Sequence, residues 1–250
     1  MATFARRHPE LRHRALAWTM IDEDVAYLSP SAVYRILADE GLVVRWVPPA
    51  RGRGRKPLPP KGPNQLWQTD LRHVKVGGRT YYLLVFLDIF SRLVVHYELL
   101  RWMDGETVSL GAQAALERVE PSLRSRIRIQ SDNGSAYVSA DFARVLAEHK
   151  VGHHRIWPHT PEQNGFVERV LRTLGEPLHE DELASFDQAR EAIGEIVEWY
   201  NHRRLHSAIG YLTPAAVHAG ESEQLQAGRR LKLVQARHRR REENLKLRQR

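Results

Sequence analysis

The chain has 250 residues, no cysteine, 27% charged and 42% hydrophobic residues, and a formal net charge of +8. That length suits one large domain or a medium one with appendages, and the lack of cysteine excludes disulfides, thiolate chemistry and zinc modules built on cysteine. The longest apolar run, 81–90, is broken by Asp88 and too short to span a bilayer, and the first residues carry no signal-type apolar stretch; the sequence therefore reads as soluble and cytoplasmic, with no membrane partner.

Charge is unevenly spread. Residues 1–65 carry 11 Lys/Arg against 6 Asp/Glu, residues 66–221 carry 17 against 21, and residues 222–250 carry 10 against 3. An acidic middle between basic ends fits a carboxylate-rich site flanked by segments that grip a polyanion. Basic ends that merely solubilise are the plainer alternative.

Residues 7–44 have helical spacing. Leu11, Ala15 and Trp18 mark one face of a first helix. Ser29 is the cap of a second, Pro30 its first position, Ala32, Val33, Ile36 and Leu37 its apolar face, and Gly41 its stop. Two helices across a turn make a helix-turn-helix-like unit over 1–46, in which Ser31, Tyr34 and Arg35 face DNA, or else a small helical cap that touches no groove. Residues 47–64 hold six prolines and three glycines between Arg51, Arg53, Arg55, Lys56 and Lys61. No packed element tolerates that density, so this linker is a basic arm along a phosphate backbone or a solvated spacer.

From Gln65 the pattern changes. Residues 66–76, 80–89 and 92–100 read as strands, with Gly77-Gly78 turning the first hairpin. Next come a helix over 104–119 capped by Asp104, a short strand over 126–130 and a helix over 139–150 capped by Ser139. A strand near 153–156 and two helices, over 162–182 and 187–203, follow. This order predicts an α/β fold, a mixed sheet flanked by helices. Residues 219–250 have a ragged apolar stripe and a strong basic bias, which fits a frayed basic helix, a tail that orders on DNA, or plain disorder.

Three carboxylates stand out. Asp70 falls within a strand, Asp132 at the end of another, and Glu168 in the helix after Pro158 and Pro161, with Asn164 one helical turn before it. Adjacent parallel strands can bring the two aspartates to one sheet edge, and the helix can cover it. Three carboxylates within ~4 Å repel by about 4 kcal/mol per pair at an effective dielectric of about 20, so they stay ionised together only around a cation. An all-oxygen set selects Mg²⁺ or Mn²⁺, and two such ions form a clamp for in-line phosphoryl displacement. Each residue alone has a structural reading: Asp132-Asn133-Gly134 is a turn, Glu168 a surface position. Asp88, also beside the strands, competes for a place among the three.

The runs around these residues are Trp67-Gln68-Thr69-Asp70, Ser131-Asp132-Asn133-Gly134 and Pro158-His159-Thr160-Pro161-Glu162-Gln163-Asn164-Gly165-Phe166-Val167-Glu168-Arg169, with 35 residues between Asp132 and Glu168. With the later run 200–207 and Thr213-Pro214, they resemble the integrase core of bacterial insertion-sequence transposases, related to retroviral integrases in the DDE superfamily. The likeness covers 65–218, with a weaker match of 8–45 to the helical module such transposases carry.

The resemblance implies an RNase H-like fold with a mixed five-stranded sheet, metal-dependent DNA strand cleavage and strand transfer, and Asp70, Asp132 and Glu168 as catalytic, metal-holding residues. It implies Mg²⁺, with Mn²⁺ able to substitute, and two ions per site when DNA is bound. It places Asp88 in a hairpin where the family has no metal ligand. DNA contacts fall to His159, Gln163, Asn164 and Arg169 near the site, and elsewhere to Arg51, Arg53, Arg55, Lys56, Tyr34 and Arg35. The partners implied are double-stranded element ends and target DNA, further copies of the chain on DNA, and an upstream-frame helix-turn-helix protein, since the chain starts at the second helical module. The location implied is the bacterial cytoplasm, at the nucleoid. The runner-up is a non-catalytic DNA-binding regulator derived from such a transposase.

Overall fold

The computed structural model describes residues 1–43, 59–157, 160, 163–179 and 182–249. Arg51, Arg53, Arg55 and Lys56 of the basic arm, and His159, lie outside the described residues. The described residues fall into two compact units, one drawn from 1–43, 205–212 and 219–249, the other from 59–204 and 213–218.

In chain order the first unit opens with α1 (Ala2–Arg7), α2 (His13–Asp22) and α3 (Pro30–Asp39). The second runs through β1 (Leu66–Val76), β2 (Arg79–Asp88), β3 (Val94–Leu100), α4 (Gly105–Glu117), α5 (Pro121–Arg124) and β4 (Arg128–Ser131). It continues with α6 (Ala140–Glu148), β5 (Gly152–Arg155), α7 (Gly165–Gly175) and α8 (Phe186–His202). A 3-10 turn at Ser207–Ile209, α9 (Pro214–His218) and α10 (Ser222–Arg248) follow.

In the smaller unit, Leu16, Ala17 and Met20 of α2 pack on Val33 and Leu37 of α3. The buried face of α2 is thus rotated from the expected stripe, and Leu11, Ala15 and Trp18 are only half-buried. Ser29 caps α3 by accepting the Ala32 N–H at 3.3 Å, with Pro30 in the first turn. Gly41, at φ +67°, ends the helix and lets the Leu42 N–H reach the Leu37 carbonyl at 2.8 Å. The α10 helix is continuous over 27 residues. Its ragged apolar stripe has a physical reason: it buries only Ala236 and Arg229, and Arg229 is tied to α2 by an ion pair. Arg229, 6% exposed, donates from Nε and Nη2 to Asp22 at 2.9 and 2.6 Å.

The larger unit is built on a five-stranded sheet of order β3-β2-β1-β4-β5. β1 and β2 form an antiparallel hairpin whose Gly77 and Gly78 both take positive φ, as a two-residue turn of that twist requires. β1 pairs in parallel with β4, and β4 in parallel with β5. One face packs Val74, Leu83, Val85 and Leu87 against Val167, Val170 and Leu171 of α7 and Ile193 and Val197 of α8. The other packs Trp67, Leu84, Phe86 and Ile129 against α4 and α6. The edge strand β3 is held by Asn201 of α8, whose amide donates to the Val94 carbonyl at 3.0 Å and accepts its N–H at 2.9 Å. This is the RNase H-like arrangement that the motifs imply. The helix expected over 162–182 is shorter, Gly165–Gly175: Glu176 keeps helical backbone, but Pro177 has no N–H to continue the ladder. Among the described residues no helix is long and apolar enough to cross a membrane.

Candidate active site

Side chains alternate across a strand, so Gln68, Asp70 and Arg72 share one face of β1 with Val74 and Val76, which pack on the α7 side. The parallel ladder sets Gln68 opposite Gln130 of β4. Asp70 and Asp132 each lie two residues further along, Asp70 still within β1 and Asp132 one residue past the end of β4.

The two glutamines anchor the helix that carries Glu168. The Gln163 carbonyl accepts from Gln68 Nε2 at 2.6 Å and from Gln130 Nε2 at 2.7 Å. Gln68 Oε1 in turn accepts the Val167 N–H at 3.1 Å. Asn164 stands at the N-cap position of α7 but makes no side-chain cap bond; its amide donates to the Thr69 carbonyl at 3.3 Å. Gln68 therefore satisfies from the sheet a helix-end donor that a capping residue satisfies elsewhere. Glu168, one residue on from Val167, emerges exposed.

Electrostatics bring the three carboxylates into one neighbourhood. Burial pushes the Asp70 carboxyl up, the charges of Asp132 and Glu168 push it further, and a 2.8 Å bond from the Leu71 N–H opposes them; the result is a pKa of about 6. Asp132 accepts the Gly134 N–H at 2.9 Å. Tyr137 bonds Thr69 Oγ1 at 3.3 Å; its hydroxyl is driven upward by burial first and by Asp70 and Asp132 in addition. A cleft of about 440 Å³ runs between β1 and α7, with Asp70, Arg72, Glu168 and Arg172 among its walls. Arg72 donates to the Leu171 carbonyl at 3.3 Å, and its guanidinium fills the space that a Cβ at Gly175 would take. Among the described residues no three His, Asp or Glu side chains are gathered tightly enough to form a ready metal cage. The donor set is nonetheless all oxygen, and its central member is short of positive charge, which fits a divalent cation.

Asp88 is a different kind of residue. It is fully buried and accepts from the Asn64 N–H at 2.8 Å, the Ser91 N–H at 2.7 Å and the Ser91 hydroxyl at 2.6 Å. Burial alone would raise its pKa, but these bonds and the neighbouring His218 outweigh it and hold the carboxyl below the usual range. With its lone pairs spent on the hairpin, it has no part in the cleft.

The expected DNA contacts separate into groups. Asn164 requires correction: at 2% exposure it faces the sheet and has no surface to offer DNA. The Gln163 side chain is turned to its own loop, accepting the Trp157 N–H at 3.2 Å. Arg169 is exposed on α7, and Tyr34 and Arg35 are exposed on α3 in the smaller unit. Gln68, Gln130 and Arg72 are missing from the sequence reading. The signal was present: glutamine precedes each aspartate by two residues, the spacing that keeps them on one face of a strand.

Two family profiles, each described as integrase core domain, match residues 60–161 and 149–214, and so cover the whole sheet, α7 and α8. The chain belongs to the integrase core family. Its relatives include the transposase for insertion sequence element IS904 of Lactococcus lactis, 28% identical over 156 residues, 61% of this chain and 60% of that protein. The transposase InsF for insertion sequence IS3A of Escherichia coli is 29% identical over 158 residues, 61% of this chain and 53% of that protein. The integrase-core chain spans little more than half the length of these curated relatives. Among solved structures, the cryo-EM structure of the simian T-cell lymphotropic virus intasome in complex with PP2A regulatory subunit B56 gamma covers 86% of this chain and 73% of its own at 22% identity, with a TM-score of 0.56, a likeness of fold.

Proposed function

We propose that the chain is the catalytic part of an insertion-sequence transposase, cutting and joining DNA strands with the help of a divalent metal. The observation that carries this reading is Asp70: a strand carboxylate raised to about 6 by burial and by the charges of Asp132 and Glu168. In this reading residues 65–218 are the catalytic core, 47–64 a basic linker, and 1–46 and 219–250 the parts that hold DNA. Asp70, Asp132 and Glu168 are the proposed holders of Mg²⁺, or of Mn²⁺ in its place, with two ions per site when DNA is bound. Bound there, the metal would lower the pKa of an attacking water or 3′-hydroxyl and offset charge on the leaving oxygen.

The chain's own residues do the rest. Asp70 and Asp132 are fixed by adjacent strands, while Gln68 and Gln130 hold the start of α7 so that Glu168 emerges over the cleft. Arg72, anchored across Gly175, adds a cation for a phosphate beside Asp70. The transposase relatives support the ends of an insertion sequence and target DNA as substrates; a homo-oligomer on DNA, an upstream-frame protein as partner and a place at the bacterial nucleoid complete the proposal.

The test is Mg²⁺-dependent cleavage and joining of a duplex carrying the element ends, run with and without the upstream-frame protein. Asp70→Asn, Asp132→Asn and Glu168→Gln should each remove joining while DNA binding stays. A variant that joins at the parent rate overturns the role of that residue. A parent chain that binds the ends yet cuts nothing in Mg²⁺ or Mn²⁺ is a regulator instead.

A further inference from the structure

The unit formed by α1–α3, residues 205–212 and α10 holds a concave cavity of about 680 Å³ that shares no residue with the carboxylate cleft. Two kinds of group line it. Trp18, Tyr34 and Tyr211 offer flat aromatic surfaces, and Arg14, Arg35 and Arg230 are cations that make no ion pair among the described residues.

The cavity is held in shape from behind. The guanidinium of Arg229, tied to Asp22, lies 5.1 Å from the Trp18 ring, and its Nη1 reaches the Gly210 carbonyl at 3.5 Å. Tyr211 sits at φ +57°, in the left-handed region that a bulky side chain rarely adopts. It is kept there by its N–H, which donates to the His206 carbonyl at 2.8 Å, and by the bridge between His206 and Leu212. Strain of this kind, maintained by its surroundings, collects at ligand-holding positions. Tyr34 is 45% exposed and stands edge-on to His13 at 5.1 Å.

Shape decides what can enter. A helix that reads a duplex must stand clear of its neighbours, because the major groove is about 12 Å wide and takes the whole cylinder. The start of α3 does not stand clear: Pro30, Ser31, Tyr34 and Arg35 form one wall, facing Tyr211 and α10. A volume of about 680 Å³ has room for one base with its phosphate but not for a turn of duplex. Every base has a π face for an aromatic ring, and every linkage a charge for an arginine.

We infer that this cavity takes an unpaired nucleotide of a DNA strand, its base against the aromatic walls and its phosphates on Arg14, Arg35 and Arg230. The inference rests on the DNA reading of the preceding section and is independent of its metal chemistry.

The experiment uses the full chain in EDTA with three labelled DNAs of matched sequence: a blunt duplex, the same duplex with one unpaired 2-aminopurine, and a single strand. The unpaired and single-stranded DNAs should bind roughly tenfold tighter than the blunt duplex, and 2-aminopurine fluorescence should fall as the base stacks. Tyr34→Ala should bring both affinities down to the blunt-duplex level and restore the fluorescence. The variant spares Val33 and Leu37, which carry the core of α3, and Arg35→Gln gives a second variant with the same selective loss. Equal binding of all three DNAs overturns the inference, as does a Tyr34→Ala loss shared equally by the blunt duplex, which would mark a groove contact. Displacement of the strand by equal amounts of poly-glutamate or of a free deoxynucleoside monophosphate also overturns it, in favour of a general anion site or a free-nucleotide site. Selective binding in EDTA without joining in Mg²⁺ leaves the cavity standing and removes only the strand-transfer reading.

Discussion

Asp70 and Asp88 sit on paired strands of one sheet, and burial pushes both carboxyls up. Their surroundings then diverge. Asp88 is met by two backbone N–H groups, a serine hydroxyl and His218, and ends below the ordinary carboxylate range. Asp70 receives one backbone N–H and the charges of two further carboxylates, and ends at about 6. Within a single sheet, one buried charge is fully answered and the other is left wanting. The first behaves as architecture. The second gives up stability, as the metal-holding role proposed for it would require.

The contrast is sharpest in activity. Asp70→Asn should remove Mg²⁺-dependent joining altogether, while Asp88→Asn, assayed below its melting temperature, should keep it; a joining-competent Asp70→Asn breaks the comparison. Stability comes next and runs the other way. Asp88→Ala strands the N–H groups of Asn64 and Ser91 and should cost about 3 kcal/mol, read as a lower urea midpoint at unchanged slope.

The pH dependences should also oppose each other. Between the ordinary carboxylate value of 3.8 and about 6, the folded chain keeps a proton on Asp70 that the unfolded chain has lost. Asp70 therefore subtracts stability as pH rises through that window, by up to about 3 kcal/mol. The contribution of Asp88 is complete above the ordinary value and is lost as pH falls through its lowered one. Urea midpoints against pH in EDTA check both: Asp70→Asn should flatten the decline toward neutral pH, and Asp88→Asn the decline toward acid. The smallest effect belongs to Gln68→Leu. It leaves the Val167 N–H unmatched but spares the Gln130 bond to Gln163, so a loss of about 1–2 kcal/mol is expected, with slower joining as α7 loosens. Unchanged stability and rate would mean that Gln130 alone suffices.

Much of this was legible in the residues. Apolar and β-branched runs mark the central strands, Ser29, Asp104 and Ser139 cap their helices as their chemistry demands, and Gly77-Gly78 turns the hairpin. The spacing of Asp70, Asp132 and Glu168 points to a shared place, and the charges of Asp132 and Glu168 both act on Asp70. What escaped was partner identity. Gln68 and Gln130 look like ordinary polar positions until the parallel register sets them abreast. Asn164 stands among the DNA contacts that the resemblance implies, yet the sheet lies on its side of α7 and buries it. The stripe on α10 looks too ragged to pack because it buries only Ala236 and an arginine, Arg229, whose partner Asp22 lies some two hundred positions away in the chain.

The β1–β4 ladder joins Leu66 to Arg128 and Gln68 to Gln130, across the two hairpins and α4. Contacts within β1–β2–β3 are local and close early, whereas a parallel pairing at such separation bears the full entropy of loop closure and forms late. A partly made chain therefore holds Asp70 on a finished hairpin, opposite Val85, before Asp132 is brought beside it. Asp70 and Asp132 come to one sheet edge only once the β1–β4 pairing is in place, so the order of folding itself would keep the proposed centre silent until the domain around it is whole.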